Sequence, residues 1–263
     1  MASWRWGDVH PEAKFAPTAP QLSSRDYAAN LVRELEETEG VVPGHEQLGF
    51  LALLLEHVEV VLSDRLVGVQ TKQRCFLLLG QGGSGKSELI NIARKVVERE
   101  FGEQGYVAMA YSNSAARGIG GDTIHSNLHL GAQSSLSLDK LGEGVTACLK
   151  DKWRDVYALV IDEISLVSPR LFGAASHRVC LARRQTRNAM PELYTEEGYA
   201  FGGVPIVILA GDFLQLAPFE HDRSRVSLIM PALPKSWPEH KNGSSNRFFV
   251  TFPGYRLCFV SHP

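Results

Sequence analysis

The fold is decided by the stretch Cys75-Phe76-Leu77-Leu78-Leu79-Gly80-Gln81-Gly82-Gly83-Ser84-Gly85-Lys86-Ser87. Its first five residues form a continuous apolar run that stops at a glycine, which is typical of a strand buried on both faces of a parallel sheet. The next eight fit the pattern G-x-x-x-x-G-K-[ST], and Ser87–Glu98 follows with the apolar spacing of a helix. A strand, a glycine-rich loop and a helix in this order predict an α/β fold with a phosphate-binding loop.

The residue types of this loop suit the phosphates of a nucleotide. Its glycines allow successive backbone N–H groups to turn inward and form a nest for an anion. The helix that starts near Gly85 adds its positive end. Lys86 is expected to contact the β- and γ-phosphates, and the Ser87 hydroxyl is expected to bind Mg²⁺. We therefore predict that all eight residues of Gly80–Ser87 bind a nucleotide.

Three later apolar runs extend the same pattern along the chain. They are Tyr106–Tyr111, Val156–Ile161 and Val204–Ala210, and they stop at the polar clusters Ser112-Asn113-Ser114, Asp162-Glu163 and Gly211-Asp212. Apolar strands that alternate with helical stretches predict a mostly parallel sheet with helices on both faces. Ligands of such sheets bind where the carboxyl ends of the strands stop. We therefore expect the phosphate loop and the polar clusters to surround one crevice.

Composition and charge restrict the class of protein. The 263 residues are 44% hydrophobic and 21% charged, which is enough apolar material for a sizeable core. The formal net charge of −2 excludes a globally basic nucleic-acid coat but permits a local basic groove. The apolar runs are too short to cross a bilayer, no secretory segment is visible, and the four cysteines are scattered. These features predict a soluble intracellular protein with no membrane partner.

The chain is expected to divide into three parts. Residues 1–43 predict an irregular arm with a short helix at Arg25–Glu39. Residues 44–220 hold the predicted strands, the phosphate loop and a helix at Glu46–Leu62. Residues 221–263 predict an irregular tail, near the end of which one or two further strands could form.

The segment Leu159-Val160-Ile161-Asp162-Glu163 places two carboxylates at the end of a predicted strand. In phosphoryl-transfer sites one acid holds the Mg²⁺ shell, and a neighbouring residue orients the attacking water. We assign Asp162 to the metal and Glu163 to the water. Because a second acid has a role only if water attacks, the pair favours hydrolysis over phosphate transfer to a small acceptor.

A second segment with polar residues follows the predicted strand Val204–Ala210. Its sequence is Gly211-Asp212-Phe213-Leu214-Gln215-Leu216-Ala217-Pro218. The amide of Gln215 can donate to a phosphate oxygen and accept from water, so it suits contact with a γ-phosphate. The alternative is a turn in which Asp212 and Gln215 only bond local backbone. The residue types alone leave both interpretations open.

Several motifs, in order along the chain, resemble the PIF1-like ATP-dependent DNA helicases of superfamily 1, in the RecD-like group. Gly80–Ser87 resembles the first motif of that family, and Ala110–Ser126 resembles the segment that carries its early single-strand contacts. Ile161–Ser168 resembles its "IDEISMVS" stretch. Phe201–Pro205, leading into Gly211–Pro218, resembles its "FGG…GDFxQLPP" stretch.

The resemblance covers residues 44–220. It implies a RecA-like lobe of the P-loop NTPase class that binds ATP with Mg²⁺ and also binds single-stranded DNA. The family translocates 5′ to 3′ and serves genome maintenance, including DNA repair, recombination and telomere maintenance, so a nuclear location is implied for a eukaryotic source. The resemblance further implies contact of Gln215 with the γ-phosphate. Gln47 resembles the glutamine that reads adenine in this family.

The resemblance also implies a DNA face at the ends of the strands. Short polar side chains of this kind hold DNA phosphates without reading sequence, and here they are Ser112, Asn113, Thr123, His125 and Ser126. Gly118–Ser126 matches the "GxTIHS" element of the family, whereas Ser112-Asn113-Ser114 departs from its "TGKAA" pattern and lacks the lysine. We therefore expect weaker DNA binding than is usual for the family. A structural turn remains the alternative role for His125.

Two further features lie outside these motifs. A basic stretch could line the DNA path, although a solvated helix face is favoured; its members are Arg170, Arg178, Arg183, Arg184 and Arg187. Trp153, with lysines nearby, could be a stacking platform for a base.

A helicase of this type closes its ATP site between two lobes, and the second lobe supplies arginines to the transition state. Too few residues follow Pro218 for a second lobe, which needs more than about 100. We therefore expect a fragment, or a chain that borrows a second lobe in trans, with slow hydrolysis. Two alternatives stay open: a nucleotide- and DNA-binding remnant without turnover, and an unrelated P-loop NTPase such as a kinase or a GTPase, although the guanine-reading N-K-x-D tetrad is absent.

Overall fold

The computed structural model describes residues 43–130, 142–184 and 200–212, the strand Arg256–Phe259, and three isolated helical positions before residue 43. The predicted N-terminal arm and most of the predicted C-terminal tail therefore lie outside the described residues. In the described ranges, no helix has the length and apolar character needed to span a bilayer.

Strands and helices alternate along the described chain, as the apolar runs predicted. The strands are β1 (Arg74–Leu79), β2 (Tyr106–Ala110), β3 (Asp122–Thr123), β4 (Ala158–Asp162), β5 (Ile206–Gly211) and β6 (Arg256–Phe259). The α-helices are α1 (His45–Val67), α2 (Lys86–Phe101), α3 (Asn113–Gly118), α4 (Ile124–Asn127), α5 (Glu143–Arg154) and α6 (Pro169–Arg184). Short 3₁₀ turns lie at Glu103–Gly105, Ile164–Leu166 and Ala200–Gly203.

The described strands form one sheet in the order β3-β2-β4-β5-β1-β6, and every pairing is parallel. The α/β fold class predicted from the sequence is thus confirmed. Strand β5 lies between β1, which carries the phosphate loop, and β4, which carries the acidic pair. Strand β2 lies on the other side of β4. This order fixes which polar strand ends are neighbours.

Two apolar clusters lie on opposite faces of the sheet, because alternate strand residues enter different clusters. On β5, Ile206 and Ile208 pack with helices α1 and α2, whereas Val207 and Leu209 pack with α5 and α6. The strand residues of β4 and β5 are buried throughout, which explains why their sequences are continuous apolar runs. The sheet is therefore a rigid central layer that positions the loops at its carboxyl edge.

The two long helices of the first cluster end at glycines. Helix α1 buries residues at spacings of three and four along one side, from Phe50 to Leu62, and stops at Gly68 in the left-handed conformation (φ 71°). Helix α2 buries Leu89, Ala93 and Val97 and stops at Gly102. The structure extends the predicted helix Glu46–Leu62 by one turn at its C-terminal end, as far as Val67.

The structure excludes two interpretations that the sequence left possible for the second cluster. Trp153 is fully buried at the end of α5, so it offers no platform for a base. Arg178 and Arg183 are buried too, so this part of the basic stretch is neither a solvated helix face nor a DNA path. Arg183 instead donates from Nη1 to the carbonyls of Trp153 and Val156, at 2.8 and 2.9 Å. Its Nε donates to the carbonyl of Gly202 at 3.1 Å. The guanidinium therefore connects α6 both to the end of α5 and to the 3₁₀ turn Ala200–Gly203.

Replacement of Arg183 by methionine should lower the free energy of unfolding by at least about 2 kcal/mol, because buried carbonyl groups lose their donor. Urea denaturation of the purified chain measures this change. Arg170→Met is the matched control, since Arg170 is exposed on the same helix. Equal denaturation midpoints for the two variants would contradict the structural role of Arg183.

Candidate nucleotide-binding site

The predicted phosphate loop connects β1 to α2, in the strand–loop–helix context that its pattern requires. Gly83 and Gly85 both have φ of 80°, a left-handed conformation that favours glycine. A Cβ atom on Gly85 would lie only 2.6 Å from Nε2 of Gln47. These two positions therefore require glycine for backbone conformation, and Gly85 also requires it for space.

The ammonium group of Lys86 lies inside the loop. Its Nζ donates to the carbonyls of Gly80 and Gln81, at 2.6 and 2.8 Å, and lies 3.4 Å from Oγ of Ser84. Burial lowers the pKa of Lys86, while the negative charges of Asp162 and Asp212 oppose that shift. The backbone carbonyl dipoles of the loop thus hold the Lys86 ammonium in place. The carboxylates of Asp162 and Asp212 lie close enough to stabilise its charge.

Gln47 ties the start of α1 to the phosphate loop. Its Oε1 accepts from the backbone N–H of Gly44 at 2.8 Å, and its Nε2 donates to the carbonyl of Ser84 at 3.0 Å. The structure therefore places this predicted adenine contact directly against the loop. The side chain retains one N–H donor of its amide beyond those two bonds.

Asp162 and Asp212 lie at the ends of β4 and β5, and β5 separates β4 from β1 in the sheet. Asp162 is buried at the end of β4, and its Oδ1 accepts from the backbone N–H of Glu163 at 2.8 Å. Burial raises the pKa of Asp162, whereas this hydrogen bond and the charge of Lys86 lower it. Asp212 follows β5 and is also buried. The sequence predicted that Asp212 would lie at the crevice with the other polar clusters but gave it no role beyond a possible turn. Its position beside the loop follows because β5 is the strand next to β1.

The residues at this edge fit the way in which proteins hold Mg²⁺ with a nucleotide. Among the described residues no group of three or more His, Cys, Asp or Glu side chains forms a metal cage. Mg²⁺ commonly uses one or two protein carboxylates together with water and substrate phosphates. Asp162 and the exposed Ser87, in the first turn of α2, are ligands of that type.

Glu163 directs its carboxylate toward the end of β2. Its backbone has φ 53° and ψ 39°, a left-handed conformation that is uncommon for a residue with a side chain. Its Oε2 accepts from the hydroxyl of Ser112 at 2.7 Å and from the backbone N–H of Ser112 at 3.3 Å. The structure therefore joins a predicted catalytic residue to a predicted DNA contact, a pairing that the sequence analysis did not foresee.

The predicted DNA contacts follow two neighbouring strands. Ser112 and Asn113 follow β2, and Thr123 to Ser126 follow or end β3, which pairs with β2 through Met109–Asp122 and Ala110–Thr123. Ser112 and Thr123 cap the short helices α3 and α4, accepting from Ala115 and Ser126 at 3.2 and 3.1 Å.

The loop that carries the second group of contacts lies very close to β2. A Cβ atom on Gly121 would lie 2.2 Å from the carbonyl oxygen of Ala108, so this approach requires glycine. Asn113 and Ser126 are exposed, and His125 is half-buried, which lowers its pKa. The two groups of polar residues follow adjacent parallel strands, β2 and β3, at the same end of the sheet. Gln215 lies outside the described residues.

Fold and site together define a RecA-like α/β lobe with a nucleotide phosphate loop. The PIF1-like helicase family matches residues 59–242, well over half of the chain, and the chain belongs to this family.

Known relatives agree with this assignment. The ATP-dependent DNA helicase PIF1 of Saccharomyces cerevisiae (strain YJM789) is 34% identical over 148 residues, covering 56% of this chain and 16% of the relative. The human ATP-dependent DNA helicase PIF1 is 30% identical over 193 residues, covering 71% of this chain and 28% of the relative. The chain thus spans less than a third of these relatives. Unliganded Pif1 from Bacteroides sp. shares the fold, with a TM-score of 0.51 and 19% identity over 84% of this chain and 42% of that one.

Replacement of Gly85 by alanine should reduce the affinity for Mg²⁺-ATP roughly tenfold, because a left-handed residue with a side chain costs about 1–2 kcal/mol. The added methyl group must also displace the Gln47 amide from the loop. Isothermal titration calorimetry with Mg²⁺-ATP measures the change.

Gly49→Ala is the control, since Gly49 lies within α1 and no atom lies within 4 Å of its added Cβ. That variant should keep full affinity and unfold at a slightly higher temperature, because alanine favours a helix. A Gly85→Ala protein that binds ATP as tightly as the Gly49→Ala protein would contradict the loop geometry.

Proposed function

We propose that this chain is the first motor lobe of a PIF1-like DNA helicase, which binds and hydrolyses Mg²⁺-ATP and binds single-stranded DNA. One observation carries the proposal: the Lys86 ammonium lies inside the phosphate loop, where it donates to the carbonyls of Gly80 and Gln81 at 2.6 and 2.8 Å, and Asp162 ends a strand at the same edge of the sheet. The curated relatives are named ATP-dependent DNA helicases, which supports ATP as the nucleotide and DNA as the partner.

The phosphate loop performs the binding step. Lys86 exchanges the carbonyls of Gly80 and Gln81 for β- and γ-phosphate oxygens, so its donors are already directed into the loop before the substrate arrives. The backbone N–H groups of Gly80–Ser87 complete the anion nest. Gln47 uses its remaining N–H and a lone pair of its oxygen for the adenine edge, while its bond to Ser84 keeps it against the loop.

Hydrolysis depends on Asp162 and Glu163, the two carboxylates at the end of β4. Asp162 and Ser87 would hold Mg²⁺, which would supply positive charge to neutralise the phosphate oxygens. Glu163 orients the attacking water, and Gln215 contacts the γ-phosphate, as the family motif implies. Because an arginine from a second lobe accelerates such reactions by about 10³–10⁵, the lobe by itself turns over slowly.

The DNA face uses neutral groups. The side chains of Ser112, Asn113, Thr123 and Ser126 offer hydroxyl and amide donors to phosphate oxygens. His125 adds a ring N–H, since its lowered pKa leaves it neutral near pH 7. Contacts of this kind hold the DNA without a large release of counterions. Added salt should therefore weaken DNA binding only moderately.

A complete motor requires more than this lobe. Translocation 5′ to 3′ needs a second lobe, in the same or another chain, which opens and closes against the ATP site. The resemblance to the family supports the further proposal that the complete protein works in DNA repair, recombination and telomere maintenance, with a nuclear location for a eukaryotic source.

Replacement of Glu163 by glutamine should reduce the steady-state rate of Mg²⁺-ATP hydrolysis about 100-fold or more, because the carboxylate that accepts the proton of water is gone. The affinity for ATP should stay within about twofold, since the phosphate contacts are unchanged. A coupled phosphate-release assay with single-stranded oligonucleotide present measures the rate.

Glu143→Gln serves as control, because Glu143 is exposed at the start of α5. A Glu163→Gln protein that hydrolyses ATP at the control rate would contradict the assignment of Glu163. A wild-type chain that binds ATP and DNA without any turnover would favour the alternative of a nucleotide- and DNA-binding remnant.

Replacement of His125 by alanine should weaken binding of a fluorescent single-stranded oligonucleotide about threefold to tenfold, which corresponds to one neutral hydrogen bond. Because the pKa of His125 is lowered, protonation occurs only below its ordinary range near pH 6.5. Wild-type affinity should therefore stay flat from pH 8 to about pH 7 and increase at lower pH, when the imidazolium attracts phosphate.

His129→Asn is the control, because His129 is exposed near His125 and has the left-handed backbone that asparagine tolerates. It should retain wild-type affinity and the same pH profile. An unchanged affinity of the His125→Ala protein, with ATP binding intact in both, would remove this residue from the DNA face.

A further inference from the structure

The contact between Ser112 and Glu163 occupies both donors of Ser112. The hydroxyl and the backbone N–H bond the same carboxylate oxygen, Oε2, at 2.7 and 3.3 Å. A bond of 2.7 Å between a hydroxyl and a carboxylate is a strong, charge-assisted hydrogen bond. The two residues are 51 positions apart in sequence. They meet because β2 and β4 are adjacent in the sheet.

The order of the strands shows in which direction this contact pulls Glu163. The phosphate loop follows β1, which lies two strands from β4, with β5 between them. Ser112 follows β2, on the opposite side of β4. Neighbouring strands are about 4.8 Å apart. A Glu163 carboxylate bonded to Ser112 is therefore drawn toward the β2 side and away from the phosphates that the loop binds.

The backbone of Glu163 is fixed, so only its side chain can turn. Its N–H is held by Oδ1 of Asp162 at 2.8 Å. The turn that follows packs tightly against the end of β5, where a Cβ on Gly211 would lie 3.1 Å from the backbone nitrogen of Ile164. A change in the direction of the carboxylate is thus a rotation of the side chain on a rigid backbone.

The Ser112 hydroxyl has a single proton to donate. Its oxygen already accepts from the backbone N–H of Ala115 at 3.2 Å, and its proton is given to Glu163. A DNA phosphate that bonds this hydroxyl must take the same proton. Glu163 and a phosphate at Ser112 are both anions, so they also repel each other at this position.

We propose that Ser112 is a positioning residue that holds Glu163 away from the ATP phosphates, and that a phosphate of single-stranded DNA releases Glu163 by taking the Ser112 donors. The inference rests on the proposed function, because it needs a DNA phosphate at Ser112 and a catalytic role for Glu163. It adds the physical link between the two sites: one hydroxyl proton serves either the carboxylate or the DNA. DNA binding thereby turns on hydrolysis.

The first test compares rates of Mg²⁺-ATP hydrolysis without DNA and at saturating single-stranded oligonucleotide. Ser112→Ala should raise the DNA-free rate about tenfold, as expected for loss of a hydrogen bond to a charged group. The rate at saturating DNA should stay within about twofold, so that stimulation by DNA largely disappears. Ser112→Thr keeps the hydroxyl and should restore both the low DNA-free rate and the stimulation.

Ser168→Ala controls for the loss of a helix cap. The Ser168 hydroxyl accepts from the backbone N–H of Leu171 at 3.2 Å at the start of α6, as Ser112 does for α3. This variant loses a comparable cap and should keep the wild-type ratio of the two rates. A DNA-free rate that falls or stays unchanged in Ser112→Ala, while Ser168→Ala behaves as the wild type, overturns the proposal.

The second test needs no turnover. Fluorescence anisotropy gives the affinity for a single-stranded oligonucleotide in the absence of nucleotide, for the wild type, Glu163→Ala, Ser112→Ala and the double variant. Glu163→Ala should tighten DNA binding about tenfold, because the Ser112 donors are no longer occupied. When Ser112 is already alanine, Glu163→Ala should raise the DNA affinity by about a third of that amount or less. The difference between the two effects measures the coupling between Ser112 and Glu163.

Asp122→Asn controls for the general loss of a negative charge, since Asp122 is exposed next to the DNA face. Its effect on DNA affinity should be the same in both backgrounds. Equal effects of Glu163→Ala in both backgrounds overturn the competition for Ser112.

If the wild type binds DNA but shows no turnover, the proposed hydrolysis fails, while the affinity cycle still supports or overturns the competition. If the chain binds no single-stranded DNA, both proposals fail.

Discussion

Parallel strands bring all their carboxyl ends to one edge of a sheet, and the site of this protein depends on that constraint. Strands β1, β5, β4 and β2 lie side by side in that order. The phosphate loop, Asp212, the acidic pair and Ser112 follow these four strands in turn. Residues that are far apart in sequence therefore form one row, with the phosphate loop at one end and the polar residues proposed to contact DNA at the other.

Electrostatic interactions within this row explain why the Lys86 ammonium can readily bind a phosphate. Burial makes the charged form of Lys86 less favourable, and two carboxylates on the neighbouring strand ends partly offset that cost. Backbone carbonyls of the loop hold the ammonium in place. A nucleotide phosphate supplies stronger acceptors than these carbonyls. The same arrangement that stabilises Lys86 therefore favours its transfer to an anion.

The sequence was sufficient for the parts of the fold that depend on local pattern. The apolar runs predicted β1, β2, β4 and β5 to within about two residues, and the glycine pattern predicted the loop and the helix α2. Burial of Trp153 and Arg183 was not predictable in this way, because it depends on which elements cover α5 and α6. The contact between Ser112 and Glu163 depends on the order of the strands, which no local pattern encodes. The roles of Gln215 and of the DNA contacts remain predictions.

The central claim is that the Gly80–Ser87 loop binds ATP through Lys86. Calorimetric titration of Mg²⁺-ATP into the wild type and into Lys86→Ala, with GTP as competitor, tests it most directly. The account predicts that the wild type binds ATP in preference to GTP and that Lys86→Ala loses at least about tenfold in ATP affinity, the equivalent of one charge-assisted contact. An unchanged affinity in Lys86→Ala would mean that the nucleotide does not bind in this loop.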